Sequence, residues 1–237
     1  MDFIVDKPAL VIGKKLVISD LHLGIESMVR GLNIGSQTKK MAEETVRLLK
    51  ENNCDKLLIV GDLKESITVR PGLEDVFQYV NEVKKHAEIT LVQGNHDGAL
   101  QEYLDINVFG GRGFKDGKYY FVHGHAEPEE EARRCFIISS HFHPVVEFND
   151  SLGGRLIEKV WLKSPKALIM PSFNPLIGGT DVRESDFGVM KKWIDVNKLD
   201  IYLLDGLQLG RIKDLPRLEK HERNKASNSR KKRPKAH

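Results

Sequence analysis

The chain has 237 residues, with 37 Lys and Arg against 34 Asp and Glu, 40% hydrophobic and 30% charged residues. That balance is ordinary for a folded domain and excludes a low-complexity or collagen-like chain, and no apolar run approaches the ~20 residues a membrane helix needs. The net charge of +3 hides an asymmetry: residues 217–237 carry about +7 and residues 1–216 about −4. The division predicts a folded domain over 1–216 and a basic tail over 217–237 with no apolar periodicity, disordered in isolation.

Two cysteines, Cys54 and Cys135, form no metal-type pair. The start, MDFIVDKPALVIGKK, has no basic segment followed by a long apolar one. Both features point to a soluble protein of the reducing cytoplasm, with no membrane partner.

In chain order, short apolar runs recur at 16–19, 56–60, 89–93, 119–123, 135–139, 167–170 and 201–204. Runs this short, apolar on both faces and ended by turn residues, predict central strands covered on both sides. Helical periodicity falls between the first of them. Thr38–Glu51 places Met41, Thr45, Val46, Leu48 and Leu49 on one face, and Leu73–Ala87 does so with Val76, Phe77, Val80 and Val83. Shorter helices are expected over Glu127–Arg134 and Ser185–Val196. The order predicts an α/β fold in which two packed β-sheets are flanked by helices.

Five consecutive predicted strands end in chemistry-bearing residues. They deliver Asp20-Leu21-His22, Gly61-Asp62, Gly94-Asn95-His96-Asp97, His123-Gly124-His125 and Ser140-His141-Phe142-His143. Six of the nine histidines lie in these motifs, at strand ends where α/β sheets place their sites. Neutral imidazoles and carboxylates without cysteine suit first-row divalent metals. One carboxylate, Asp62, is suited to bridge two ions ~3.5–4 Å apart, the spacing of two-metal hydrolases. Each motif alone is an unremarkable turn; together and in order they indicate a metal centre.

The set resembles the calcineurin-like metallophosphoesterases over Asp20–His143, with one departure: Ser140 stands where that family usually has Gly. The resemblance implies a four-layer sandwich and two divalent ions, Mn²⁺ foremost, with Fe, Zn or Ni as alternatives. Asp20, His22, Asp62 and His143 would hold the first ion; Asp62, Asn95, His123 and His141 the second. His96 would be the general acid, with Asp97 orienting it. The implied reaction is phosphoester hydrolysis by a metal-bridging hydroxide.

The segment from His143-Pro144 to ALIMPSFNPLIGGTDVR (167–183) is similar to the SbcD-related archaeal and the DNA-ligase-associated bacterial phosphoesterases. That likeness points to a phosphodiesterase acting on nucleic acid, a nuclease, with DNA-repair partners implied by resemblance only. It also places Pro171, Ser172, Phe173, Asn174, Gly178 and Gly179 near the site rim. His125, Lys64, Glu65, Arg70 and Asn174 are candidate substrate contacts, with a solvated loop as the other reading of Lys64, Glu65 and Arg70. A phosphatase or phosphodiesterase for small nucleotides, and a catalytically silent protein-binding scaffold, remain as alternatives. A homodimer is open. The basic tail reads either as a nucleic-acid contact or as a solvated end.

Overall fold

Val, Ile and Leu runs without a polar face form a strand only where both faces are covered. The computed structural model, which describes residues 1–28, 37–67, 72–149 and 154–216, meets that need with two facing sheets. The expected tail over 217–237 and Arg70 lie outside the described residues.

Among the described residues the first sheet has six strands in chain order: β1 (Asp2–Phe3), β2 (Leu10–Ile12), β3 (Lys15–Ser19), β4 (Lys56–Val60), β5 (Glu88–Val92) and β6 (Asn107–Phe109). From β3 to β6 the strands are parallel. Two crossovers are helices, α1 (Gln37–Glu51) and α2 (Leu73–Val83). Their inward faces bury Met41, Leu48, Leu49, Val76, Tyr79, Val80 and Val83 against Leu16, Ile18, Leu57, Ile59 and Leu91.

The second sheet contains β7 (Phe114–Asp116), β8 (Tyr119–Val122), β9 (Phe136–Ser139), β10 (Pro144–Asn149), β11 (Arg155–Lys163), β12 (Ala167–Ile169), β13 (Thr180–Asp181), β14 (Asp200–Leu203) and β15 (Gln208–Arg211). Its order is β13-β10-β11-β12-β9-β8-β7, with β14 on β11 and β15 outside it. The stretch β8-β9-β12 is parallel. Leu10, Val17, Leu58, Val60 and Val92 of the first sheet face Phe121, Ile138, Trp161, Leu168 and Met170 of the second, forming the layer between them. Adjacent residues such as Leu57 and Leu58 therefore serve different layers, as the period of a strand requires.

The structure corrects the sequence reading in three places. α2 stops at Val83, and Phe77 is half exposed while Tyr79 is buried in its place. Position 79 shares a face with 76, 80 and 83 at 100° per residue, and 77 does not. The expected helices over Glu127–Arg134 and Ser185–Val196 are single 3₁₀ turns, Glu130–Arg134 and Gly188–Lys192. Pro128 delays the first, and the second opens on Gly188 at φ 46°, outside the helical region. Their buried residues Ala132, Phe187, Met190 and Ile194 still cover the outer face of the second sheet. The strands β10 and β11 escape the sequence reading because their outer halves carry exposed Phe148, Leu156 and Ile157 between charges. No helix among the described residues is long and apolar enough to cross a membrane.

Candidate metal centre

The parallel strands β3, β4, β5, β8 and β9 all point their C-terminal ends the same way, so the five motifs converge at one edge of the sandwich. Two glycines permit the convergence. A Cβ on Gly61 would overlap the His123 ring, and one on Gly94 would overlap the Asp62 carboxylate. The Gly-Asp and Gly-Asn-His-Asp pairs are thus close-approach devices as much as turn formers.

The side chains form two groups that share Asp62. In one, Asp20 Oδ1 lies 3.3 Å from His143 Nε2, which lies 3.4 Å from His22 Nε2. In the other, His123 Nε2 lies 3.2 Å from Asp62 Oδ2, 3.2 Å from Asn95 Oδ1 and 3.1 Å from His141 Nδ1. Asp62 Oδ2 is also 3.7 Å from His22 Nε2, so one oxygen faces both groups. Asp20, His22 and His143, and likewise Asp62, His123 and His141, bring their ligand atoms within 4.8 Å of one another. His96 joins a third such group with His22 and Asp62.

This donor set fits divalent cations. Asp20 is fully buried, yet neither of its oxygens accepts a hydrogen bond. Around His123 Nε2 stand a carboxylate, an amide oxygen and a second imidazole, a set of lone pairs with too few protons among them. Oxygen and imidazole donors without thiolate select hard to borderline ions.

Electrostatics in the cluster separate its members. Burial would raise the Asp62 carboxyl, but the hydrogen bond and charge of His123 and the His96 backbone N–H (3.0 Å) hold it well below the carboxylate range. His123 is pushed up to about 9, because Asp62 and Asp20 outweigh its burial. Burial and the His123 charge push His141 down to about 4. The ring of His141 is therefore ready as a neutral ligand, whereas a cation must displace a proton from His123.

The remaining expected residues divide. The His96 ring packs against His22, with centroids 5.2 Å apart. Its Nδ1 is held by the Glu65 carbonyl, not by Asp97. The expectation that Asp97 orients His96 is thus corrected. Asp97 is fully buried, accepting from Leu63 N (2.9 Å), Gly94 N (2.9 Å) and Lys64 N (3.3 Å), and so ties the second motif to the third. Burial and the nearby Asp62 push its carboxyl up to about 6.

Lys64 is not a substrate contact. It is fully buried, with its ammonium on the Ser66 and His96 carbonyls. Asn174 is buried too: Nδ2 donates to Leu21 O (2.7 Å) and Oδ1 accepts from Leu176 N (2.9 Å), so it clamps the first motif from behind. Both corrections have one cause: a polar side chain in a turn next to a site is as useful for satisfying buried backbone as for meeting a ligand. His125 stays beside the centre, its ring 5.2 Å from His123, and its Nδ1 is buried without a hydrogen bond. Two residues the sequence did not assign to the ligands stand behind them: Glu65, whose Oε2 lies 2.6 Å from His22 Nδ1 without hydrogen-bond geometry, and Ser140, whose Oγ lies 2.9 Å from His123 Nδ1. Glu65 follows Asp62 by three residues in the same loop, which is the only signal the sequence holds for it.

The family model of the calcineurin-like phosphoesterases matches residues 13–204. The fold is similar to the crystal structure of the Pseudomonas putida nuclease MPE, with 22% sequence identity, a TM-score of 0.60, and coverage of 83% of this chain and 88% of that one. It also aligns with YfcE, a phosphoesterase from E. coli, at 18% identity and a TM-score of 0.42 over 70% of this chain and 83% of that one. A comparison with curated proteins found no match.

Proposed function

Because the chain belongs to the calcineurin-like phosphoesterases, a family that binds two divalent metals, we propose that it is a phosphodiesterase whose substrate is nucleic acid. The observation that carries the reading is the Asp62 oxygen shared by two ligand groups, with the His96 ring at their edge. In this reading Asp20, His22, Asp62 and His143 hold one ion, and Asp62, Asn95, His123 and His141 the other, with Mn²⁺ as the working metal. When bound, the pair would supply charge neutralisation on the phosphoryl oxygens and an activated water.

The chain's own residues do the rest. Asp62 fixes the spacing of the two groups. His96 donates Nδ1–H to the Glu65 carbonyl, so that in the imidazolium form Nε2–H is the group that passes a proton to the departing oxygen, leaving the neutral ring with Nδ1–H. Asn174 holds the first motif's backbone, so its ligands keep their positions as substrate arrives, and the Glu65 carboxylate stands against the His22 ring.

A nucleic-acid substrate is supported by the nuclease activity named for the Pseudomonas putida protein and by nine basic against two acidic residues over 217–237. Lys and Arg side chains there would pair with phosphates at low salt. The test is turnover of bis-p-nitrophenyl phosphate against p-nitrophenyl phosphate with Mn²⁺ and with EDTA, followed by single- and double-stranded DNA and RNA. Metal-dependent diester cleavage is expected, falling by about 10²–10⁴-fold in His96→Ala with both ions retained. Monoester cleavage alone would overturn the diesterase reading in favour of a small-molecule phosphatase. Diester cleavage of the mimic with all four polymers untouched would overturn the nucleic-acid part.

A further inference from the structure

Ser140 sits where the sequence pattern of the family expects glycine, and the side chain is placed to use the difference. The residue is completely buried, at the C-terminal end of β9. Its Oγ donates to the Val60 carbonyl at the end of β4, at 2.5 Å, so its one proton is committed to the first sheet. The same oxygen lies 2.9 Å from His123 Nδ1 and has only lone pairs left to offer it. The other acceptors near that nitrogen are farther away, Val60 O at 3.4 Å and Asp20 Oδ1 at 3.6 Å.

We propose that Ser140 is a positioning residue for the second metal position: its hydroxyl accepts the Nδ1 proton of His123, so that Nε2, which faces Asp62, Asn95 and His141, is the nitrogen whose proton a cation displaces and whose lone pair it takes. Hydrogen bonds to the far nitrogen of a ligating imidazole fix its tautomer and ring orientation. Here the partner is a hydroxyl that bridges the two sheets, since it joins β4 to a ligand leaving β8. The backbone reinforces the arrangement: Ser140 N and Ser139 Oγ both donate to the His123 carbonyl, at 2.8 and 2.9 Å. Ring and main chain of His123 are thus held from one dipeptide, and the next residue, His141, is itself a ligand of the same position.

The inference rests on the two-ion reading of the centre, and its test separates the two. Mn²⁺ binding is followed by calorimetry on the wild type and Ser140→Ala, with the melting temperature of each metal-free protein as a check on folding. In the Zn²⁺-loaded wild type, the nitrogen shifts of His123 and its ring N–H resonance are read by NMR. The wild type should bind two equivalents, and in Ser140→Ala the second should weaken by about 10–100-fold while the first holds. The His123 ring proton should sit on Nδ1 and exchange slowly. Equal affinities in both proteins, or equal weakening of both equivalents, would overturn the role of Ser140 alone. A ring proton on Nε2 would overturn it without any variant. A wild type that takes fewer than two ions would overturn the two-ion reading and this proposal with it.

Discussion

The first sheet is covered by two α-helices of 15 and 11 residues, and the second by 3₁₀ turns of three to five. Both nevertheless send ligands from the C-terminal ends of parallel strands into one cluster. Asp20, His22, Asp62 and Asn95 come from the first, and His123, His141 and His143 from the second. The difference teaches that the centre depends on the direction of the strands and on their contact across the middle layer, not on what covers the outer faces. A second contrast runs between the strands and their ends. The ligand-bearing strands β3, β4, β5, β8 and β9 pair in unbroken register, whereas Asp20, His22, Asp62, His141 and His143 all have positive φ, between 41° and 76°. Non-glycine residues adopt that region at a cost of about 1–2 kcal/mol each, and they keep it where surrounding structure imposes it. The rigid sheets supply that imposition.

The largest expected effect breaks the link between the halves. Asp62→Ala removes the one oxygen that faces both groups, so it should abolish both metal equivalents and all turnover. His141→Ala should weaken only the second equivalent. Metal analysis after dialysis distinguishes the two variants, and a single equivalent retained by Asp62→Ala would show that the groups are independent.

Next comes the layer that holds the sheets together. Trp161 is nearly fully buried and meets the Phe3 ring edge-on at 4.8 Å. Trp161→Ala should cost about 3–5 kcal/mol by chemical denaturation, as other large-to-small core changes do. A loss below about 1 kcal/mol would mean that the sheets are held at the metal centre and not by their shared core. Gly61→Ala should cost less, about 1–3 kcal/mol, through overpacking against His123 at a backbone of φ 83°. Its signature is that the second metal equivalent weakens together with stability, which Trp161→Ala should leave in proportion.

Much of this was legible in the sequence, and the rest fails for identifiable reasons. Strands β3, β4 and β5 read clearly because apolar runs buried on both faces leave no other interpretation, and α1 because Met41, Thr45, Leu48 and Leu49 repeat at helical spacing. The seven expected ligands read because each ends a strand, and the structure brings all seven together. The outer cover of the second sheet did not, since Met190 and Ile194 have helical spacing whether one turn or three connects them. Lys64 and Asn174 misled because burial, not residue type, decides whether a polar group meets substrate or backbone. In the sequence Ser140 is only a departure from the family's glycine; its partners, Val60 and His123, lie 80 and 17 residues away, beyond any local pattern.

The smallest effect sharpens the contrast between the covers. Glu43 is exposed in the middle of α1, and Lys192 is exposed at the end of the 3₁₀ turn Gly188–Lys192. Glycine in an exposed helix interior costs about 1 kcal/mol, because the unfolded chain gains freedom that the helix must remove. Glu43→Gly should show that loss. The 3₁₀ turn already begins on a glycine with positive φ and is held by the burial of Met190 and Ile194 behind it. Lys192→Gly should therefore stay within about 0.5 kcal/mol, the usual range for a surface change. Both side chains make only surface ion pairs, Glu43 with Lys39 at 3.8 Å and Lys192 with Glu127 at 3.6 Å, so lost charge contributes similarly to each. Matched urea titrations decide the point: equal losses would mean that the two covers draw on local backbone preference alike, and that the sheets, not their helices, already carry the difference between the halves.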